Sequence, residues 1–135
     1  MSNLLIIVSL LVNSLLGQSQ NQLSDLPWGS VEDDFIGGLS EFYHVFHLQV
    51  KYPDSLQEEQ ITGTVYFRIE IDTSGSIVNF EKIRGVHPLM DKEVEDKIYL
   101  TNGMWKPLLV EGKKVNYQVV EKVYFRIRKG IYLKN

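Results

Sequence analysis

One run of alternating residues, TVYFRIEID at positions 64–72, constrains the fold more than any other part of the chain. Every second residue in it is apolar, namely Val65, Phe67, Ile69 and Ile71, and most of the positions between them are polar. A period of two is the pattern of a strand with one buried face and one face in water. The run therefore predicts a half-buried antiparallel strand.

The residues that follow predict a hairpin. The sequence DTSG at positions 72–75 suits a turn, because short polar side chains bond the main chain and Gly75 accepts a positive φ. Residues 77–84 then predict the return strand. Their apolar positions change phase between Ile77, Phe80 and Ile83, and this shift predicts a β-bulge.

Three helices are predicted around the hairpin. Residues 38–50 carry apolar residues at steps of three and four, which indicate one helical face: Leu39, Phe42, Val45, Phe46 and Val50. A shorter helix is expected over residues 53–62, with Pro53 at its first position and Gly63 as its stop. A third helix follows His87 and carries the stripe Met90, Val94 and Ile98.

The last predicted strand, residues 115–128, is long and alternates imperfectly. Val123, Phe125 and Ile127 share one side, and the inward phase slips near Val119 and Val120, as expected if part of the strand is an open edge. The order of elements predicts an α+β fold, in which a three-stranded antiparallel sheet packs against two to three helices. Trp105, between the third helix and this strand, is expected to be buried beneath the sheet.

The N-terminal residues differ in kind from the rest. The apolar run at positions 4–16 is shorter than the roughly 20 residues that span a bilayer. With Gly17 and Ser19 after it, the run predicts a signal peptide over residues 1–19 and cleavage near Gln20. A short anchor and a buried helix are the alternatives. Residues 20–36 are predicted to be a flexible lead-in, and residues 37–130 the domain.

Composition and motifs point away from several functions. The chain has 14 basic and 17 acidic residues, which leaves no basic face for nucleic acid. It has no cysteine and no G-x-S-x-G motif, and His44 and His47 lack a third metal ligand at a suitable spacing. The acidic cluster at positions 32–34 is interpreted as solvated. We therefore expect no cofactor, no metal and no enzymatic activity.

Several short motifs together resemble one known family. They are Tyr52-Pro53, Gly63, TVYFRIEID, Gly75, VHPLMDKEV, MWKP and VYFRI, in this order. The same order is found in the TonB C-terminal domain family, and the resemblance covers residues 37–128. The sequence GGLSEFYHVF before Tyr52 is similar to the form of the domain with an extra leading helix.

The resemblance implies a periplasmic energy transducer of Gram-negative bacteria that acts in TonB-dependent transport. Such a domain binds an extended segment of an outer-membrane receptor, the TonB box, by strand addition beside its last strand. Energy-transducing members carry a spanning helix and a proline-rich spacer, whereas this chain has only four prolines, none of them clustered. The resemblance implies these partner-binding residues: Gln49, Tyr52, Pro53, Val115, Tyr117, Val119, Glu121 and Val123.

A second interpretation uses the same edge differently. The chain would then be a freestanding structural or regulatory protein of the cell envelope, without energy transduction. Its partners would be a second copy of the chain, in a homodimer, or peptidoglycan. Both interpretations require a strand edge with unpaired main-chain groups.

Overall fold

The computed structural model of the protein describes residues 25–127, so the predicted signal peptide lies outside the described residues. Its helices are α1 (Val31–Asp34), α2 (Gly38–Val45), α3 (Asp54–Glu58) and α4 (Pro88–Ile98). Its strands are β1 (Gly63–Ile71), β2 (Ile77–Arg84), β3 (Leu108–Val110), β4 (Lys113–Val115) and β5 (Tyr117–Phe125). Short 3₁₀ turns cover His47–Gln49 and Tyr99–Thr101. Between residues 25 and 127, no helix has the length and apolarity that crossing a bilayer requires.

The main sheet has three antiparallel strands in the order β2-β1-β5. The predicted α+β class and the three-stranded sheet are therefore confirmed. Strand β1 lies in the middle, so β2 and β5 each have one side that faces away from the sheet. Strands β3 and β4 form a separate small hairpin that the sequence pattern did not predict.

The predicted hairpin is confirmed in detail. The four alternating apolar residues of β1 are all completely buried. Gly75 in the turn has a φ of 82°, in the region that favours glycine. Strand β2 carries two register shifts, at Val78 and at Ile83, where β1 offers no partner. The change of apolar phase along β2 is thus a pair of bulges, as predicted.

The helices cover one face of the sheet and enclose the core. Met90, Val94 and Ile98 of α4 are completely buried, which confirms the predicted stripe. His87 precedes α4, and its Nδ1 accepts a hydrogen bond from the Leu89 amide. Trp105 is buried as expected, and its Nε1 donates to Thr101 Oγ1 over 3.2 Å.

The predicted bounds of the first two helices require correction. Helix α2 ends at Val45 rather than at residue 50, and Leu39 on it is exposed. Helix α3 ends at Glu58, four residues earlier than predicted. Its stop is Gln60 at a φ of 57°, not Gly63, because the Ile61 amide donates to the Leu56 carbonyl over 2.9 Å and closes the last turn.

The last strand was also predicted wrongly in two respects. Val115 belongs to β4, and the strand that joins the main sheet starts only at Tyr117. Its register with β1 is continuous, so no phase slip occurs near Val119. The pattern was misleading because Val120 is apolar but exposed, whereas Glu121 is charged although it shares a face with the buried Val119 and Val123.

The prediction of a flexible lead-in is wrong for residues 25–36. Val31 of α1 and Phe35 after it belong to the core. The Phe35 ring packs edge-on against Trp105, with 5.0 Å between the ring centroids. These two apolar side chains were overlooked because the polar and acidic residues around them dominate the local composition.

Candidate functional site

The outer edge of β5 is the first part of the candidate site. The Gln118 amide donates to the Pro27 carbonyl and the Gln118 carbonyl accepts from the Gly29 amide, both over 2.9 Å. The main chain of Gln118 is therefore turned away from β1. Because this direction alternates along an antiparallel strand, Val120, Lys122 and Tyr124 also face outward.

The outward groups of these three residues form an open edge. Within residues 25–127, no turn or loop main-chain bond reaches Val120, Lys122 or Tyr124 from another segment. The prediction that part of the last strand is an open edge is thus confirmed. We call residues 120–126 the open edge from here on. Amides and carbonyls that point away from the sheet in this arrangement are suited to pairing with an extended chain.

A groove of about 600 Å³ lies beside the C-terminal part of the open edge. One side consists of residues 123–127, and the other consists of Tyr43, His47, Val50 and Tyr52. Aromatic and aliphatic side chains therefore lie next to main-chain groups that need partners. Such a groove can take up the side chains of a chain that pairs with the strand.

The Tyr52-Pro53 corner is part of the groove wall and also begins α3. The Tyr52 hydroxyl donates to the Ile61 carbonyl, and its ring packs edge-on against Phe125 at 5.4 Å. The Pro53 carbonyl accepts from the amides of Leu56 and Gln57, each over 3.0 Å. Pro53 is therefore the cap of the helix and not its first residue. The corner fixes the Tyr52 ring at one end of the groove.

His47 contributes an uncharged aromatic surface to the same wall. Its ring stacks on Tyr43, with 5.8 Å between the centroids, and lies 4.9 Å from the ring of Phe46. Burial lowers the pKa of His47, so the ring is neutral at pH 7. His44 is exposed. Between residues 25 and 127, no group of three His, Cys, Asp or Glu residues is placed to hold a metal ion.

The residues predicted to bind a partner are not all brought together. Tyr52 and Val123 line the groove, whereas Gln49 and Pro53 are near it in sequence but do not line it. Val115 lies in the separate β3–β4 hairpin. The side chains of Tyr117 and Val119 are buried in the core.

Two side chains of β5, the buried Tyr117 and the half-buried Glu121, have shifted pKa values. The Tyr117 hydroxyl donates to the Lys106 carbonyl over 2.8 Å, and burial, with a smaller effect of Asp34, raises its pKa. Burial also raises the pKa of Glu121, although the Lys122 amide and charge oppose this effect. Glu121 is paired with Phe67 of β1, so its main chain faces inward.

Three residues of this site, Lys122, Tyr124 and Arg126, are not among those predicted from the sequence. Lys122 Nζ lies 5.3 Å, and the Arg126 guanidinium 4.3 Å, from the centroid of the Tyr124 ring. These three residues alternate with Val123, Phe125 and Ile127, which were predicted to share one side of the strand. The two-residue period of the sequence therefore already indicated that the three lie on the other face. The strand register was still needed to show that their main chain faces outward.

Comparison with known proteins identifies the family. The family described as Gram-negative bacterial TonB protein C-terminal matches residues 49–127. A search of curated proteins gives no match. Among solved structures, the chain is similar to the solution NMR structure of the Pseudomonas aeruginosa TonB CTD, with 28% sequence identity, a TM-score of 0.44 and coverage of 59% of this chain and 80% of that chain. The family match spans more than half of the chain, and the protein therefore belongs to the TonB C-terminal domain family.

Proposed function

We propose that this protein is a periplasmic binding module that takes an extended segment of an outer-membrane receptor as an additional strand on the open edge. In this role it acts in TonB-dependent transport, by binding and without catalysis. The observation that carries the proposal is the row of outward main-chain groups at Val120, Lys122 and Tyr124, which leads at Tyr124 into an aromatic groove. Membership of the TonB family supports the choice of partner.

Main-chain pairing supplies one part of the binding free energy. Three outward residues present one amide and one carbonyl each, and a net hydrogen bond contributes roughly 0.5–1.5 kcal/mol. Pairing at this edge already occurs within the chain, since residues 26–29 bond to Gln118 through an isolated parallel β-bridge at Trp28. This internal pairing supports the proposal that the edge takes up a further strand.

Side chains of the docked segment supply the rest. In a strand they point alternately to the two faces, so every second one enters the groove beside Tyr43 and Tyr52. The others lie near Lys122 and Arg126, which form a cationic surface around Tyr124. An apolar residue alternating with a polar or acidic one fits both faces.

Proline substitution at Lys122 tests the main-chain pairing. Lys122→Pro removes an outward amide, and an edge strand tolerates this change in stability better than in pairing. Synthetic peptides covering the periplasmic N-terminal segments of outer-membrane transporters from the same bacterium are titrated by calorimetry and NMR amide shifts. We expect Lys122→Pro to weaken binding by about tenfold or more, which corresponds to the loss of one or two hydrogen bonds.

Lys122→Ala is the matched control, because it removes the same side chain and keeps the amide. It should change the affinity by less than about threefold. Tyr52→Ala should weaken binding by about 1–3 kcal/mol, since an aromatic anchor is lost from the groove wall. If Lys122→Pro folds and binds every peptide as the parent does, the open edge is not the binding site. Peptide-independent dimers that Lys122→Pro abolishes would favour the structural alternative.

A further inference from the structure

Residues 26–29 occupy one end of the β5 edge, and we propose that they act as a fixed stop that sets the length and register of the docked strand. This inference rests on the proposed function. We call residues 26–29 the stop segment. The partner it implies is a short extended peptide that pairs with the open edge and cannot extend to Gln118.

Three hydrogen bonds to one residue hold the stop segment. Gln118 donates its amide to Pro27 and accepts from the Gly29 amide, and its side-chain Nε2 donates to the Leu26 carbonyl over 2.7 Å. Gln118 is completely buried as a result. Its main-chain groups, which would otherwise continue the open edge, are already paired.

The stop segment packs closely against the strands beneath it. A Cβ on Gly29 would lie 2.5 Å from Cδ2 of the Tyr117 ring, so only glycine fits at this position without displacement. The Trp28 ring lies over Arg68, with 5.8 Å from the guanidinium carbon to the ring centroid. The contacts of Gly29 with Tyr117 and of Trp28 with Arg68 together fix the position of the stop segment.

The chain leaves the edge immediately after Gly29. Ser30 caps α1, where its hydroxyl accepts from the Asp33 amide over 3.1 Å and its amide donates to Asp34 over 2.8 Å. Val31 then enters the core. The stop segment therefore covers the edge at Gln118 and leaves residues 120–126 uncovered, a length of roughly 20 Å.

The stop segment limits the register that a docked strand can adopt. Main-chain bonds alone define register weakly, because a strand can slide along an edge and pair again. The stop segment prevents sliding toward Gln118, so the docked strand is limited to about seven residues beside the groove. It also shortens the edge that is exposed to pairing with other chains.

A peptide-length series tests the stop. The probes are capped, alternating threonine–valine peptides with one terminal glutamate, of about five, seven, nine and eleven residues, since strand formers of this size span the edge. Binding to the full chain is followed by NMR amide shifts. Each further pair of main-chain bonds should raise the affinity by roughly fivefold.

In the parent protein, we expect the gain to end at about seven residues, with the shifts ending at Val120 and the Gly29 and Gln118 amides still protected from exchange. Trp28→Ala/Gln118→Ala loosens the stop segment without changing the open edge. In this variant the affinity should rise by about a further fivefold up to about nine residues and then level off, because β5 begins at Tyr117. Val78→Ala, on the other edge of the sheet, should behave as the parent. If the Gly29 amide stays protected from exchange in the double variant, Gly29→Val is used instead to displace the stop segment, because the valine side chain collides with Tyr117.

The outcomes separate this inference from the proposed function. If nine- and eleven-residue peptides gain affinity on the parent and expose the Gly29 amide to exchange, the stop segment yields and the inference is wrong, while strand addition stands. A released variant that still reaches its limit at seven residues also contradicts the stop. If no peptide shifts residues 120–126 and Lys122→Pro binds receptor segments normally, the proposed function and the stop both fail.

Discussion

Individual residues of β5 serve either the core or the edge according to their position in the strand. The side chains of Tyr117, Val119, Val123 and Phe125 pack into the core, while the residues between them turn their main chain outward. Glu121 is the exception, because it places a carboxyl group in the apolar row. An inward-pointing charge of this kind weakens unwanted pairing at a strand edge.

The raised pKa of Glu121 predicts a pH-dependent cost to stability. Burial makes the folded-state pKa higher than the unfolded value, so ionisation destabilises the fold as the pH rises through the folded pKa. Glu121→Gln removes this cost. The variant should be more stable than the parent at pH 7 by less than about 1 kcal/mol, after allowance for solvent screening.

Urea denaturation of both proteins across a pH series checks this expectation. The difference should shrink below about pH 4, where the parent carboxyl is protonated in the folded and the unfolded state. Glu95→Gln, on the exposed side of α4, is the control and should show no such trend. A difference that grows toward acid pH would contradict the assignment.

Among the elements, α3 is notable because it has only five residues and still positions the Tyr52 corner. Helices this short are not stable alone, so their caps decide whether they persist. Pro53 caps one end. At the other end Gln60 adopts a left-handed φ of 57°, a conformation that costs a non-glycine residue roughly 1–2 kcal/mol.

Gln60→Gly should therefore stabilise the protein by up to about 1 kcal/mol, because glycine adopts this conformation without steric cost but loses more entropy on folding. The free energy of unfolding from urea titration measures the effect. Glu58→Gly, in the last turn of the same helix, is the matched control and should destabilise by about 1 kcal/mol. Equal and unfavourable effects of both changes would show that Gln60 does not limit the stability of the corner.

At the scale of the whole molecule, the sequence predicts elements that have a local period but not contacts between segments that are distant in the chain. The β1–β2 hairpin and the buried stripe of α4 follow from periodicity within about a dozen residues, and both were predicted. The pairing of Trp28 with Gln118 joins segments 90 positions apart and leaves no periodic signal. The same is true of the groove, because its two sides come from residues 43–52 and residues 123–127.

The N-terminal boundary of the folded unit gives the last prediction. The family match begins at residue 49, and the motifs of the sequence predict a domain that starts at residue 37. Nevertheless Val31 and Phe35 are part of the core, and the Lys106 amide donates to the Asp34 carbonyl over 2.7 Å. A chain that starts at residue 37 lacks both of these core side chains and the hydrogen bond to Asp34. Removal of the Phe35 ring alone should cost about 3–5 kcal/mol.

Because total stabilities of such domains are about 5–15 kcal/mol, the chain that starts at residue 37 should be largely destabilised, with a lowered midpoint in urea and partial unfolding at 37 °C. A chain that starts at residue 25 is the matched control and should unfold like the full protein. Phe35→Ala in the full chain should account for most of the loss, since the ring contacts both Trp105 and Phe42. A chain from residue 37 with a free energy of unfolding within about 1 kcal/mol of the control would place the lead-in outside the folding unit.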